Sequence, residues 1–439
     1  LFGVWLQPET VAIRNTCLVL GALLSLPIIY LNRQVFLQKK ILPVFLIILL
    51  LLLWVTFHLF FLGTDFQTQL KEYSHAWKKI AISIVFALGL GVSLNSRTQG
   101  NSKERNQDRY FELIYFGFSM PVIIYFIKLV ITLLALHYGW HVSPYLIKSD
   151  AFLSYVYGIP RAGHVFFTLP VLAISLHLMS NQIIEKNFLW KKNVVYITMV
   201  LATILIYIIE KDRIGHIFVI GLLVIFSWGI IKNLMISKSY QQLRWIALGS
   251  VVALFFLVNN LEKNPQWKTF ISDAKVAIQV DRYDNWKYNT PDFLSLNDQG
   301  VTASDSNYKR ISWLIIGSNL AITHPFGYGL MGFSFGRIGK SIWPDSQMSW
   351  SHSAWLDFTL GYGWIGLALF LGAALLIFVN SRDMPQPWKT IGRSVVGTWI
   401  ALFFVKELSI EIYINAFIFI IVFATALSVD LKSLPKTGG

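Results

Sequence analysis

Uninterrupted apolar runs of roughly 17–25 residues recur along the whole chain, and each is long enough to cross a bilayer as a helix. In lipid every backbone N–H and C=O must be paired inside the protein, so such runs pack together as a helical bundle. The runs are contiguous rather than alternating, which argues against a β-barrel. Only 14% of the 439 residues are charged, against about 25% in an ordinary soluble domain. The expected fold class is an all-α polytopic membrane protein.

Eleven spans are expected, at 12–31, 41–62, 77–94, 113–136, 162–178, 194–209, 214–231, 245–261, 354–379, 394–409 and 411–429. Alternate connections then differ in charge. One side holds Arg33, Lys39, Lys40, Arg97, Lys103, Arg105, Arg109, Lys186, Lys191 and Lys192. It also holds Lys232, Lys238, Arg244, Arg382, Lys389, Arg393, Lys432 and Lys436. That side is cytoplasmic by the positive-inside rule. This distribution accounts for the net charge of +14 better than nucleic-acid binding does, because no basic motif is clustered.

The other side holds turns at 63–76, 137–161, 210–213 and 406–410, and one long segment, 262–353. The nine Lys/Arg of that segment are offset by eight Asp/Glu, so it carries little orientation signal. The organisation expected is 1–261 as the first part of the bundle, 262–353 as a large external loop, and 354–439 as the rest, together one integrated domain. Eleven spans leave the N-terminus outside; a further helix ahead of Leu1 would make twelve, with both ends inside. Within the loop, the polar stretch 266–308 reads as a small soluble cap. Ile311–Thr323 puts Trp313, Ile316 and Leu320 on one face, as in a helix lying on or dipping into the membrane surface. His324-Pro325-Phe326-Gly327-Tyr328-Gly329, with Gly332, Gly336 and Gly339, reads as a flexible, close-approach loop.

Ionisable groups near membrane depth are costly to keep, so those present are candidates for function. Arg213 lies in the four-residue turn Glu210-Lys211-Asp212-Arg213, where a local salt bridge would also explain it. Arg161 lies at the outer mouth of the fifth span, where snorkelling is the simpler account. Arg310 precedes the surface helix, where it would suit a phosphate headgroup. His352, in Trp350-Ser351-His352-Ser353, sits where the loop enters a span. A lone histidine usually caps a helix, but one at this junction suits general-base work near neutral pH. Lys128, Lys406, Glu407 and Glu411 read first as ion-pair partners. No HExxH, paired cysteine, metal-spaced His/carboxylate cluster or phosphate-binding glycine motif is visible, so neither metal nor cofactor is expected. The single cysteine, Cys17, excludes an internal disulfide.

His352-Ser353, nine residues, and then Gly363-Trp364-Ile365-Gly366 resembles the signature of the O-antigen ligase family. Arg310, Trp313 and His324-Pro325-Phe326-Gly327-Tyr328-Gly329 resemble the stretch ahead of that histidine, and Arg213 resembles an arginine that opens a span in the family. Arg161 corresponds less closely. The resemblance runs from about 150 to 430. It implies a GT-C-like fold and inverting, metal-independent transfer of a glycan. The donor would be undecaprenyl diphosphate-linked glycan, the acceptor lipid A–core, and the site the periplasmic face of a bacterial inner membrane. His352 would be the base, and Arg213, Arg310 and Arg161 would bind the diphosphate. Arg337 and Lys340 would grip acceptor phosphates. An O-antigen polymerase or a protein O-oligosaccharyltransferase would share the fold. A lipid-linked glycan flippase is the alternative of another class, but the candidate charges sit at the surface rather than at midplane, and no internal repeat is seen.

Overall fold

The structure, a computed structural model, describes residues 2–5, 7, 10–98, 103–147, 161–187, 189–236, 251, 255, 258, 259, 265–288 and 296–429. In chain order the principal helices begin with α1 (Val11–Leu31), α2 (Leu42–Leu62), α3 (Phe66–Ser96), α4 (Asp108–Tyr138), α5 (Arg161–Ile184), α6 (Trp190–Glu210) and α7 (Arg213–Ile236). They continue with α8 (Phe270–Ala277), α9 (Asp305–Thr323), α10 (Ser334–Ile342), α11 (Ala354–Asp383), α12 (Val396–Val405) and α13 (Glu411–Leu427). Eight of these, α1 to α7 and α11, are long and apolar enough to cross a membrane. The chain is therefore an all-α polytopic membrane protein.

Several boundaries move from their expected places. The third span starts at Phe66 rather than 77, so most of the segment read as the turn 63–76 is helical. Its polar first turns depress the local hydropathy, yet Asp65 accepts a hydrogen bond from the Thr68 N–H and caps the helix. A π-turn at Tyr73–Trp77 then carries the chain into the apolar part. The span expected at 394–409 ends at Val405, which leaves Lys406–Ile410 as a tight non-helical turn. The span expected at 245–261 lies outside the described residues apart from 251, 255, 258 and 259, as do Lys238, Arg244, Lys432 and Lys436.

The chain divides into two compact units. The first comprises Leu1–Leu20, Ser96–Lys263 and Ser381–Trp399. Its most buried helix is α5, which packs against α4, α6 and α7. The ring of Trp399 lies flat on Phe166 at 4.3 Å and its indole N–H donates to the Phe166 carbonyl. The second comprises Gly21–Asn95, Asn264–Asn380 and Ile400–Gly439. Here α2 packs along α11, and α13 meets α3 where Phe419 contacts Phe86 at 5.5 Å.

The long loop belongs to the second unit and has its own core. Trp313, Ile316 and Leu320 of α9 cluster with Val276, Ala277, Trp286, Phe335, Leu356 and Leu360. The face that reads as membrane-seeking is thus covered by protein; burying each large apolar side chain contributes about 1.5–3 kcal/mol. The segment after α9 departs from the flexible loop expected. Gly336 and Gly339 lie within α10, and 325–330 is clipped to a break in α11. At that break Gly363 has φ 70° and ψ −179°, a conformation reserved for glycine. Tyr328 N–H donates to Leu360 O, Gly329 N–H to Gly361 O, and Trp364 N–H to Pro325 O. The Tyr362 carbonyl accepts from Trp54 Nε1 at 2.7 Å.

Candidate functional site

His352 occupies the three-residue approach to α11 and adopts a left-handed backbone, φ 60°. Histidine is one of the few residue types enriched there, and such conformations persist where neighbours over-determine them. The neighbours are identifiable. Ser351 Oγ donates to Ser353 O and accepts from Ser353 N–H, while Ser353 Oγ donates to Phe404 O at 3.1 Å. Asp357, fully buried one turn into α11, accepts from Ser351 N–H at 2.8 Å and from Ser409 Oγ at 3.1 Å. Ala354 N–H donates to Lys406 O. The entry to α11 and the 406–410 turn are therefore laced together around the histidine.

The 406–410 turn supplies the partner, Glu407, one of the residues whose sequence position suits an ion pair. Glu407 Oε2 lies 2.6 Å from His352 Nδ1. A carboxylate only accepts, so Nδ1 carries a proton, and in the neutral ring Nε2 is then the nitrogen that keeps its lone pair. The imidazole also stacks on Trp313, centroids 5.2 Å apart and planes 19° from parallel. Trp313 is fixed in turn because its indole N–H donates to Trp286 O at 2.7 Å. One carboxylate and one indole thus set both the tautomer and the plane of the ring. His352 is half-buried, so Nε2 can meet a substrate.

Arg310 lies on α9 three residues before Trp313, one turn from the indole beneath His352, and is exposed. Arg337 and Lys340 extend from α10, also exposed. They line a cavity of about 640 Å³ with Thr68, Lys71, Glu72 and His75 of α3. Lys71 and His75 were not among the residues singled out from sequence, and no spacing signal could have found them. Glu411 pairs with Lys79 at 3.2 Å, as an ion-pair partner should.

Arg213 and Arg161 belong to the first unit. Glu210 ends α6, Lys211 takes a left-handed conformation, and Arg213 opens α7 half-buried. Asp212 caps α7 by accepting from Gly215 N–H at 2.8 Å. His164 Nε2 approaches the Asp212 carboxylate at 3.9 Å. Arg161 is the first residue of α5, three before His164, so both arginines occupy the same end of that unit's helices. Among the described residues no three His, Cys, Asp or Glu side chains converge as metal ligands.

Residues 197–371 match the protein-family model described as O-antigen ligase. The matched segment includes Arg213, Arg310, Arg337, Lys340 and His352, and excludes Arg161 and Glu407. No curated protein and no solved structure matches the chain. The match supports a membrane glycosyl-transferring enzyme of the O-antigen ligase or polymerase type.

Proposed function

We propose that this chain, whose residues 197–371 match the O-antigen ligase family, is an inverting glycosyltransferase. It moves a polysaccharide from undecaprenyl diphosphate to lipid A–core at the periplasmic face of the inner membrane. The observation that carries the reading is the 2.6 Å contact between His352 and Glu407 at the mouth of α11.

The chemistry follows from that geometry. Outside the cytoplasm no nucleotide sugar is at hand, so the donor must bring its own leaving group. His352 Nε2 removes the proton of an acceptor hydroxyl as its oxygen attacks the anomeric carbon from the face opposite the diphosphate. The new C–O bond forms as the bond to the diphosphate oxygen breaks. Undecaprenyl diphosphate leaves with the electron pair, and the anomeric configuration inverts. Glu407 stabilises the imidazolium formed. Negative charge grows on the diphosphate, and Arg310, in the same unit as His352, meets it with a guanidinium group that stays charged and can grip two oxygens at once. Arg213 and Arg161, to which the resemblance gives the same role, belong to the other unit. Near the low dielectric of the membrane such pairs strengthen, and in this reading they act in place of a divalent metal.

The test is reconstitution of the purified protein with lipid-linked glycan and lipid A–core in excess EDTA. Ligated product is expected; product that appears only on adding a divalent cation refutes the metal-independent mechanism. Gel analysis of lipopolysaccharide from a deletion strain separates ligase from polymerase. Loss of a ligase leaves bare core, whereas loss of a polymerase leaves core bearing one repeat unit.

A further inference from the structure

Two helical faces meet across the 640 Å³ cavity. From α3 come Thr68, Lys71, Glu72 and His75, and from α10 come Gly336, Arg337 and Lys340. Each set follows the spacing of three and four residues that defines one side of a helix. Each presents basic side chains toward the other. The acid between them is already engaged, because Glu72 accepts from Met331 N–H and from the Tyr362 hydroxyl. The half-buried Asp65 carboxylate is near enough to Arg337 to feel its charge. The cavity thus holds more cations than free carboxylates, in a volume typical of small-molecule sites.

We propose that this cavity is an anion subsite that takes a phosphate ester of the acceptor glycolipid. The inference rests on the transferase reading given above. Arg310 does not line the cavity, so it is separate from that donor-diphosphate contact. Ser349, on its wall, stands three residues before His352, and Phe333, also on the wall, packs on Trp350 with ring centroids 4.4 Å apart. A saccharide held there by its phosphate lies beside the base that must deprotonate one of its hydroxyls. Lys71, Arg337 and Lys340 supply charge-assisted hydrogen bonds, the strong kind for phosphate oxygens.

The experiment uses the full-length protein in nanodiscs of neutral phosphatidylcholine. Binding of radiolabelled lipid A–core is compared with binding of the same glycolipid after phosphatase treatment, without donor. Wild type should favour the phosphorylated form by at least about tenfold. Arg337→Gln with Lys340→Gln, and separately Lys71→Gln on the opposite wall, should lose that preference while keeping the thermal unfolding midpoint. In turnover assays the acceptor KM should rise with the donor KM unchanged. Equal binding of the two glycolipid forms by wild type overturns the proposal. So does loss of the preference when phosphatidylglycerol is added, since the cavity then holds a membrane headgroup. A preserved binding preference without any glycan transfer leaves the subsite standing and refutes the transferase reading instead.

Discussion

His352 Nδ1 and Glu407 Oε2 stand 2.6 Å apart across 55 residues of chain. Neither is placed by its own helix; both lie on the non-helical connections at the ends of α11 and α12. Asp357 ties one connection to the other through Ser351 and Ser409, beside the Ala354 N–H to Lys406 O bond.

His352→Ala should lower kcat by about 10²–10⁴-fold, the usual range for a general base, with donor binding retained. Glu407→Gln preserves shape but removes the charge that holds the imidazolium, and should lower kcat by about tenfold or more with little change in KM. If the two act as one device, the double variant is no slower than His352→Ala alone. Multiplying defects in steady-state kinetics would show that they act separately.

Asp357→Ala leaves the Ser351 N–H and Ser409 hydroxyl facing a buried space without an acceptor. A cost of about 1–3 kcal/mol per orphaned donor is expected, seen as a lower unfolding midpoint in detergent. Turnover should fall by more than the folded fraction accounts for, because the left-handed turn at His352 is released. Normal turnover per folded molecule would mean that the histidine is held by other contacts.

Gly363→Ala forces a side chain into a glycine-only conformation, at a cost of about 1–3 kcal/mol. It also drives a Cβ into Pro325 O. Strong destabilisation is expected on thermal unfolding. Gly221→Ala, where no atom lies within 4 Å of the added carbon, should be neutral or mildly stabilising. Equal behaviour of the two variants would count against the clip at the α11 break.

Asp65 is held below the usual carboxylate range by the Thr68 side chain first, then by the Thr68 N–H and the charge of Arg337. A lowered folded pKa gives stability that is present above the unfolded value and fades as pH falls through the folded one. Asp65→Ala should therefore be destabilising at pH 7, and its unfolding midpoint should converge with that of wild type in acid. A constant gap from pH 7 to pH 3 would exclude an ionised cap.

The sequence is most legible where one element decides the outcome. The expected spans 12–31 and 41–62 fall within a residue of α1 and α2, because an apolar run needs no partner to be recognised. His352 and Arg310 stand out because a cationic or titratable side chain beside an apolar helix is conspicuous. Phe66–Trp77 is misread because its glutamines, lysine and histidine mimic a loop, although Lys71 and His75 line a cavity and Gln69 is buried, donating to Tyr328 O. Trp313 reads as a lipid-facing residue because hydropathy does not distinguish a bilayer from the underside of α10. Asp357 and Lys71 have no local mark at all, and Glu407 reads locally only as an ion-pair partner. Their roles come from chain segments tens to hundreds of residues away.

The break at Gly363 has a mechanical meaning for a protein in a membrane of variable thickness. The part of α11 after it, Trp364–Asp383, measures about 30 Å at 1.5 Å per residue, enough to cross the hydrocarbon core unaided. Helices tilt to match the bilayer around them, and an unbroken rod would pass that tilt directly to its outer tip. Here the short segment Ala354–Tyr362 is anchored to 325–330 and to Lys406 instead. The histidine's footing thus rests on three separate chain segments rather than on the tip of the lipid-embedded shaft alone.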